Sequence, residues 1–170
     1  MAASLCNDQA CRQNTMHAAY NGHLECLRYA HENGRGWDLD TTFIAAYNGH
    51  LECLRYAHEN RCEWHPKTTW AAAMNGHLEC LRYAHENGCE WDPDTTRIAA
   101  INGRLECLMY IYENYGDVVT WENANLEDET GMISGSFSKE IRDFIDSVRE
   151  DWKYGLNRPG YNIKGSNAMF

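Results

Sequence analysis

The sequence predicts an all-α fold, a solenoid of helix-turn-helix repeats closed by a C-terminal capping helix. Three observations carry that prediction. The stretch NGHLECLRYAHEN occupies residues 21–33, 48–60 and 75–87 and returns at 102–114 as NGRLECLMYIYEN, so its starts lie 27 residues apart without drift. A fixed period of about 20 to 50 residues is the mark of stacked repeats. Ahead of each copy stands a second short segment, NTMHAA, TTFIAA, TTWAAA or TTRIAA, which makes the unit two helices rather than one. Beyond the last copy, residues 138–152 carry apolar side chains at helical spacing.

Residues 1–12 read as a lead-in that caps the N-terminal end, and residues 13–116 as four repeats. Within a repeat, Asp or Thr at the start of the first segment accepts the orphan amide hydrogens of a helical turn, and the Ala pair lets a neighbouring backbone approach closely. Asn-Gly then takes the left-handed conformation that ends a helix after about two turns. In the second segment Glu25, Glu52, Glu79 and Glu106 occupy the first turn, where the helix dipole favours an anion. Leu24, Leu27 and His31 follow at i, i+3 and i+7, which predicts a longer helix closed by Asn-Gly at 33–34 and 87–88. Arg61 and Tyr115 replace that Gly in two copies, so the chain there either exits differently or places Asn in the left-handed region. The connections GRGWDLD, RCEWHPK and GCEWDPD each carry one Trp.

These residues carry a family resemblance. The string A-A-x-N-G-H-L-E-C-L-R-Y-A-H-E-N-G resembles the ankyrin repeat, whose two antiparallel helices are joined by a turn of this kind and whose second helix begins Gly-His-Leu-Glu. The likeness runs from residue 13 to about 116. The unit departs from the family in three ways. Its 27 residues fall short of the usual 33, which trims the projecting hairpin to a tight loop; Thr-Thr replaces Thr-Pro-Leu-His; and Ala30-His31 stands where the family has two Leu. Shortened, Trp-bearing repeats of this type resemble those of large DNA viruses of protists. A leucine-rich repeat also fits the period, but its ladder needs an Asn sooner than Asn33 arrives, and the Ala-rich segment reads as helix.

The chain of 170 residues is 44% hydrophobic, enough for one modest core built a layer at a time. Its formal net charge is −10, with −6 over residues 1–114, −7 over 115–152 and +3 over 153–170. A duplex-binding protein needs a basic stripe to displace counterions. This chain has none, so nucleic acid is not an expected partner. No apolar run reaches the ~18 residues of a membrane span, and the start MAASLCNDQACRQ lacks a signal-peptide pattern. A soluble, cytoplasmic protein is expected, most simply a monomer.

Cys26, Cys53, Cys80 and Cys107 recur once per repeat, where the ankyrin family has Val. Stacked helices lie about 10 Å apart while a disulfide needs Cα atoms within about 7 Å, so these read as small buried thiols in a reducing compartment. Cys62 and Cys89 fall in the connections, and Cys6 and Cys11 are expected to be the exposed ones. His23, Cys26 and His31 are of zinc-ligand type, but Cys26 and His31 point about 140° apart on one helix. The structural reading is that His23 caps the second helix and His31 packs against the loop Trp, restoring the volume that Ala30 gives up. The same reading holds for His58 with Trp64 and His85 with Trp91.

Between near-identical repeats, specificity is written where they differ. Met16, Phe43, Trp70 and Arg97 share one position of the first helix, and Tyr20, Tyr47, Met74 and Ile101 another. The resemblance implies that these first helices and their loops line a concave face, and aromatics and Met are enriched at interface cores. These eight residues are the candidate partner-binding set; the alternative is that Phe43 and Trp70 plug gaps between repeats.

Residues 117–152 read as a degenerate capping repeat ending in an amphipathic helix, with Ser138 as N-cap and Ile141, Phe144, Ile145, Val148 and Trp152 on one face. A terminal unit with a polar outside is the usual remedy for an exposed apolar end. The same stripe would alternatively dock a partner. Residues 153–170, rich in Gly and Asn, read as a flexible tail. The expected function is non-enzymatic protein binding through the concave face, without cofactor or metal. Two alternatives stand beside it: a metal- or pH-responsive His/Cys stack, and a structural array without a dedicated partner. There is no Gly-rich phosphate loop and no Ser, His and Asp set marked out for catalysis.

Overall fold

The computed structural model describes residues 9–115 and 137–153. Cys6, residues 117–136 of the expected capping unit and residues 154–170 of the expected tail lie outside them. A short helix α1 (Gln9–Gln13) leads into four helix pairs. These are α2 (Thr15–Tyr20) with α3 (Leu24–Glu32), α4 (Thr41–Tyr47) with α5 (Leu51–Glu59), α6 (Thr68–Asn75) with α7 (Leu78–Glu86), and α8 (Thr95–Ile101) with α9 (Leu105–Tyr115). Helix α10 (Lys139–Lys153) follows, and the described residues hold no strand. Short helices stack on short helices and long on long, the short row the more closely packed. The Ala pairs 18–19, 45–46, 72–73 and 99–100 explain the close approach, since all are fully buried. Cys26, Leu27 and Ala30 of α3, with their counterparts in α5 and α7, form the other half of the core.

The short helices end as the Asn-Gly signal predicts. Gly49 adopts φ +75, its N–H bonds to Ala46 O, and His50 N–H bonds to Ala45 O, the pair of hydrogen bonds of a Schellman stop. Their beginnings differ from expectation. Asn14 does accept the His17 amide at 2.8 Å, but Asp40 and Asp94, at the N-cap positions of α4 and α8, make no side-chain cap bond. Asp38 and Asp92 instead accept the amides of Asp40 and Asp94, ordering the turn before the helix. The Thr residues are not caps either. Buried Thr42 donates its hydroxyl to Glu63 O at 3.3 Å and accepts His65 N–H at 2.9 Å, and Thr15 and Thr69 treat the loops at 36–38 and 90–92 alike. A hydroxyl that serves as donor and acceptor at once bolts the connecting loop to the repeat it leaves.

The two substituted stops resolve in different ways. Arg61 itself takes the left-handed conformation at φ +67, while Asn60 before it stays at φ −102. In the fourth repeat the helix runs on through Asn114 to Tyr115, so α9 has 11 residues where α5 has 9. Ser138 stands just before α10, and its Oγ accepts the Ile141 amide at 3.4 Å. Phe137, Ile141, Ile145 and Val148 are buried in the same core as Cys107, Leu108 and Ile111, and Phe144 meets Tyr112 edge-on at 5.9 Å. The side chain of Trp152 is outside the described set.

Candidate functional site

The eight varied positions lie one turn apart on each short helix, so each repeat presents its pair on one face. Tyr20 and Ile101 are about half exposed, at 53% and 45%, and Arg97 is exposed. Met16 and Met74 are half-buried. Phe43, Tyr47 and Trp70 are half-buried against the core, so each has one face on the repeat and one toward solvent. The Phe43 and Tyr47 rings stack at 5.9 Å, His65 tilts against Phe43 at 5.1 Å, and the Lys67 ammonium stands 5.4 Å from the Trp70 ring. The row is thus largely apolar and aromatic through the middle repeats, with a cation at Lys67 and another at Arg97.

A second feature recurs at the C-terminal ends of the long helices. His31 stacks on Trp37 with centroids 4.4 Å apart, and both meet the edge of Tyr56 from the next repeat. His31 Nδ1 lies 3.0 Å from the Tyr56 hydroxyl, the Trp37 indole donates to Asn60 O at 3.0 Å, and the Arg28 guanidinium sits over the Tyr56 ring. His58, Trp64 and Tyr83 repeat the arrangement, while in the third set His85 tilts against Trp91 at 5.2 Å and meets Tyr110 edge-on at 5.7 Å. Burial and the Glu32 carboxylate push the Tyr56 phenol up from its ordinary value, against the Arg28 charge, so its proton stays on. The expected His–Trp packing is therefore present, and it extends to a third residue of the following unit that periodicity alone did not single out.

His23, His50 and His77 hold the N-cap positions of their helices, as expected, but none caps with its side chain. His50 Nε2 reaches 3.1 Å from Tyr20 O of the preceding repeat, and Arg104 Nε donates to Met74 O in the same way. The imidazole lies so close over the preceding turn that a Cβ on Gly22 would come within 2.5 Å of His50, and one on Gly49 within 2.5 Å of His77. These glycines are required by their positive φ and by the ring that covers them. Burial lowers the His77 pKa, with the Arg104 and His50 charges adding to it and the hydrogen bond to Tyr47 opposing it.

His23, in the first repeat, has its Nδ1 3.2 Å from Cys11 Sγ of α1. Cys11 is accordingly fully buried, beside His17 and Asn21, and not exposed as its place near the terminus suggested. Cys62 and Cys89 are also buried, although they sit in connections. Burial pushes the thiols of Cys53 and Cys80 up to about 12 and those of Cys62, Cys89 and Cys107 to about 11. His31 faces Trp37 and Tyr56 while Cys26 faces the core, so the His-x-x-Cys spacing does not bring its three members together. Among the described residues no group of three or more His, Cys, Asp or Glu side chains is arranged to hold a metal ion. Among them, too, no helix is long and apolar enough to cross a membrane.

Comparisons with known proteins agree with this geometry. A family profile described as "Ankyrin repeats (many copies)" matches residues 16–58, and one described as "Ankyrin repeats (3 copies)" matches residues 42–123. Among solved structures, the ankyrin repeat domain of human ASB11 superposes with a TM-score of 0.55 at 16% identity, over 84% of this chain and 69% of that one. No curated protein sequence matches.

Proposed function

From a chain built on ankyrin repeats, matched together over residues 16–123, we propose a non-enzymatic binding protein that holds a protein partner on the concave face formed by its short helices. Ankyrin repeats are in general modules of protein–protein interaction. The observation that carries the reading for this chain is the row of half-buried or exposed varied side chains, from Met16 and Tyr20 through Phe43, Tyr47, Trp70 and Met74 to Arg97 and Ile101, on repeats whose long helices are nearly letter-identical. Closer packing of the short row supports curvature toward that side. Residues 1–12 and 117–152 act as the two caps of repeats 13–116, a reading supported by the burial of Cys11 at one end and of Ile141, Ile145 and Val148 at the other. Buried free thiols support an intracellular location, and the likeness of the short repeats to those of large DNA viruses of protists supports a host protein as the partner.

The test is a pull-down from host-like cytosol with the intact chain beside a variant carrying Tyr47, Trp70, Met74 and Ile101 as Ser, once circular dichroism shows both folded. A protein held by the intact chain and lost by the variant is the expected result. The same proteins on both, or none on either, would remove the concave-face reading.

A further inference from the structure

The connecting loops also differ from one another, and one of them stands apart. Where the first and third loops have Gly34 and Gly88, the middle loop has Arg61; where they have Asp38 and Asp92, it has His65; where they have Asp40 and Asp94, it has Lys67. Basic or titratable groups thus replace Gly and carboxylates in one loop only. Arg61 holds a left-handed φ of +67, a conformation that disfavours a non-glycine residue and that its two counterparts take as Gly.

Packing does not explain the arginine. A Cβ built on Gly34 or Gly88 meets nothing within 4 Å, and Arg61 is exposed. Among the described residues its guanidinium has no ion pair and no hydrogen bond. The backbone at Arg61 closes α5 as a glycine would, so a strained residue whose side chain pairs with nothing among the described residues points to a role outside the fold.

Beside it a cavity of about 510 Å³ opens between the first and middle loops. Its apolar lining is Trp37, Trp64, Pro66 and Leu39, the last 81% exposed where the other loops have Pro. Of the carboxylates at the cavity, Asp38 accepts the Asp40 amide of its own loop, and Glu63 is not within ion-pair distance of Arg61. We propose that this cavity is a side-chain pocket that takes an aromatic or large aliphatic residue of a protein partner, with Arg61 pairing with the carboxylate of an Asp or Glu beside that residue. The guanidinium fork suits a carboxylate in two-pronged geometry, and the Trp walls supply apolar area that ordering costs little. The proposal rests on the protein-binding reading and names the chemistry that part of the partner must have.

The experiment uses the full chain and capped seven-residue peptides with a central Phe-Glu, against the same peptides with Phe-Gln and Phe-Lys. Binding is followed by the indole N–H resonances of Trp37 and Trp64. Phe-Glu is expected to bind about tenfold more tightly than Phe-Lys, the worth of one charge-assisted hydrogen bond. Arg61→Gly is expected to abolish that preference while raising the unfolding temperature, a combination that a merely structural arginine does not produce. Equal binding of the three peptides, binding of none, or a preference that survives Arg61→Gly would overturn the pocket. The concave-face reading has a separate fate: a partner lost on changing Tyr47, Trp70, Met74 and Ile101 but indifferent to Arg61→Gly keeps the face and removes only the pocket.

Discussion

The middle of the stack and its two ends share one repeat pattern and are held by different contacts. In the middle, His50 reaches back to Tyr20 O and covers Gly22, while His31 reaches forward to Tyr56, so each repeat is tied to both neighbours by imidazoles. In the first repeat the corresponding His23 meets the Cys11 thiol of α1. At the C-terminal end Tyr112 and Ile111 stand where His and Ala stood, and α10 covers them with Phe144, Ile141 and Ile145. A repeated side chain therefore has a role only through its neighbour. Where the neighbour is missing, a different residue type must close the gap, as expected for a solenoid whose stability is a sum of nearest-neighbour terms.

The comparison breaks first at its ends. Ile141→Ala removes a fully buried side chain from the C-terminal cover and is expected to cost about 3 to 4 kcal/mol in urea unfolding. A loss below about 1 kcal/mol would mean that the last repeat stands without α10. In the middle, Trp64→Ala opens the interface where the ring touches His58 and Tyr83, with an expected cost of about 3 kcal/mol. A change of less than about 0.5 kcal/mol would make the aromatic ladder incidental.

Adjacent threonines give a finer contrast. Thr42→Val leaves Glu63 O and His65 N–H unanswered and is expected to cost about 1 to 3 kcal/mol, whereas Thr41, whose buried hydroxyl has no partner among the described residues, should tolerate Val at no cost. Equal effects at the two sites would refute the loop-bolting role. Arg61→Gly is expected to gain about 1 kcal/mol by relieving the left-handed strain.

The smallest effect is that of pH. Burial lowers the pKa of His77 and, against the Glu86 charge, that of His85, so the folded chain binds fewer protons there than the unfolded chain does. A depressed histidine pKa contributes its full stability above the unfolded value of about 6.5 and loses it as pH falls through that value toward the folded one. Urea midpoints should therefore drop between about pH 7 and pH 5, and less so in His85→Gln. An unchanged slope in the variant would place the pH dependence elsewhere.

Much of the fold was legible in the letters. Helix lengths, Asn-Gly stops, first-turn glutamates and the His–Trp contact all follow from spacing within one unit, because a helix and its stop are decided by residues a few positions apart. The burial of Cys11, the backward reach of His50 and the Thr42 bolt were not legible, since each depends on what a neighbouring segment brings to that place. Asp40 shows the limit most plainly. It is a cap residue by type and place, yet it donates its own amide to Asp38 while its side chain caps nothing. Of the candidate face, the sequence marked which positions vary; it did not show that Phe43, Tyr47 and Trp70 divide their surface between core and solvent, because that division depends on how closely the Ala pairs let adjacent repeats approach.

The sequence by itself determined the repeat, its helices and its turns, because those rest on local propensity and on a period that copies one solution four times. Tertiary structure alone decided what the repeated His, Thr and Cys side chains touch, which end residues replace them, and that Arg61 bears a left-handed turn beside an open cavity. The physical reason is that hydrogen bonds and ring contacts between units form only once the units are stacked, so the same letter meets a carbonyl, a thiol or a phenol according to its place in the row.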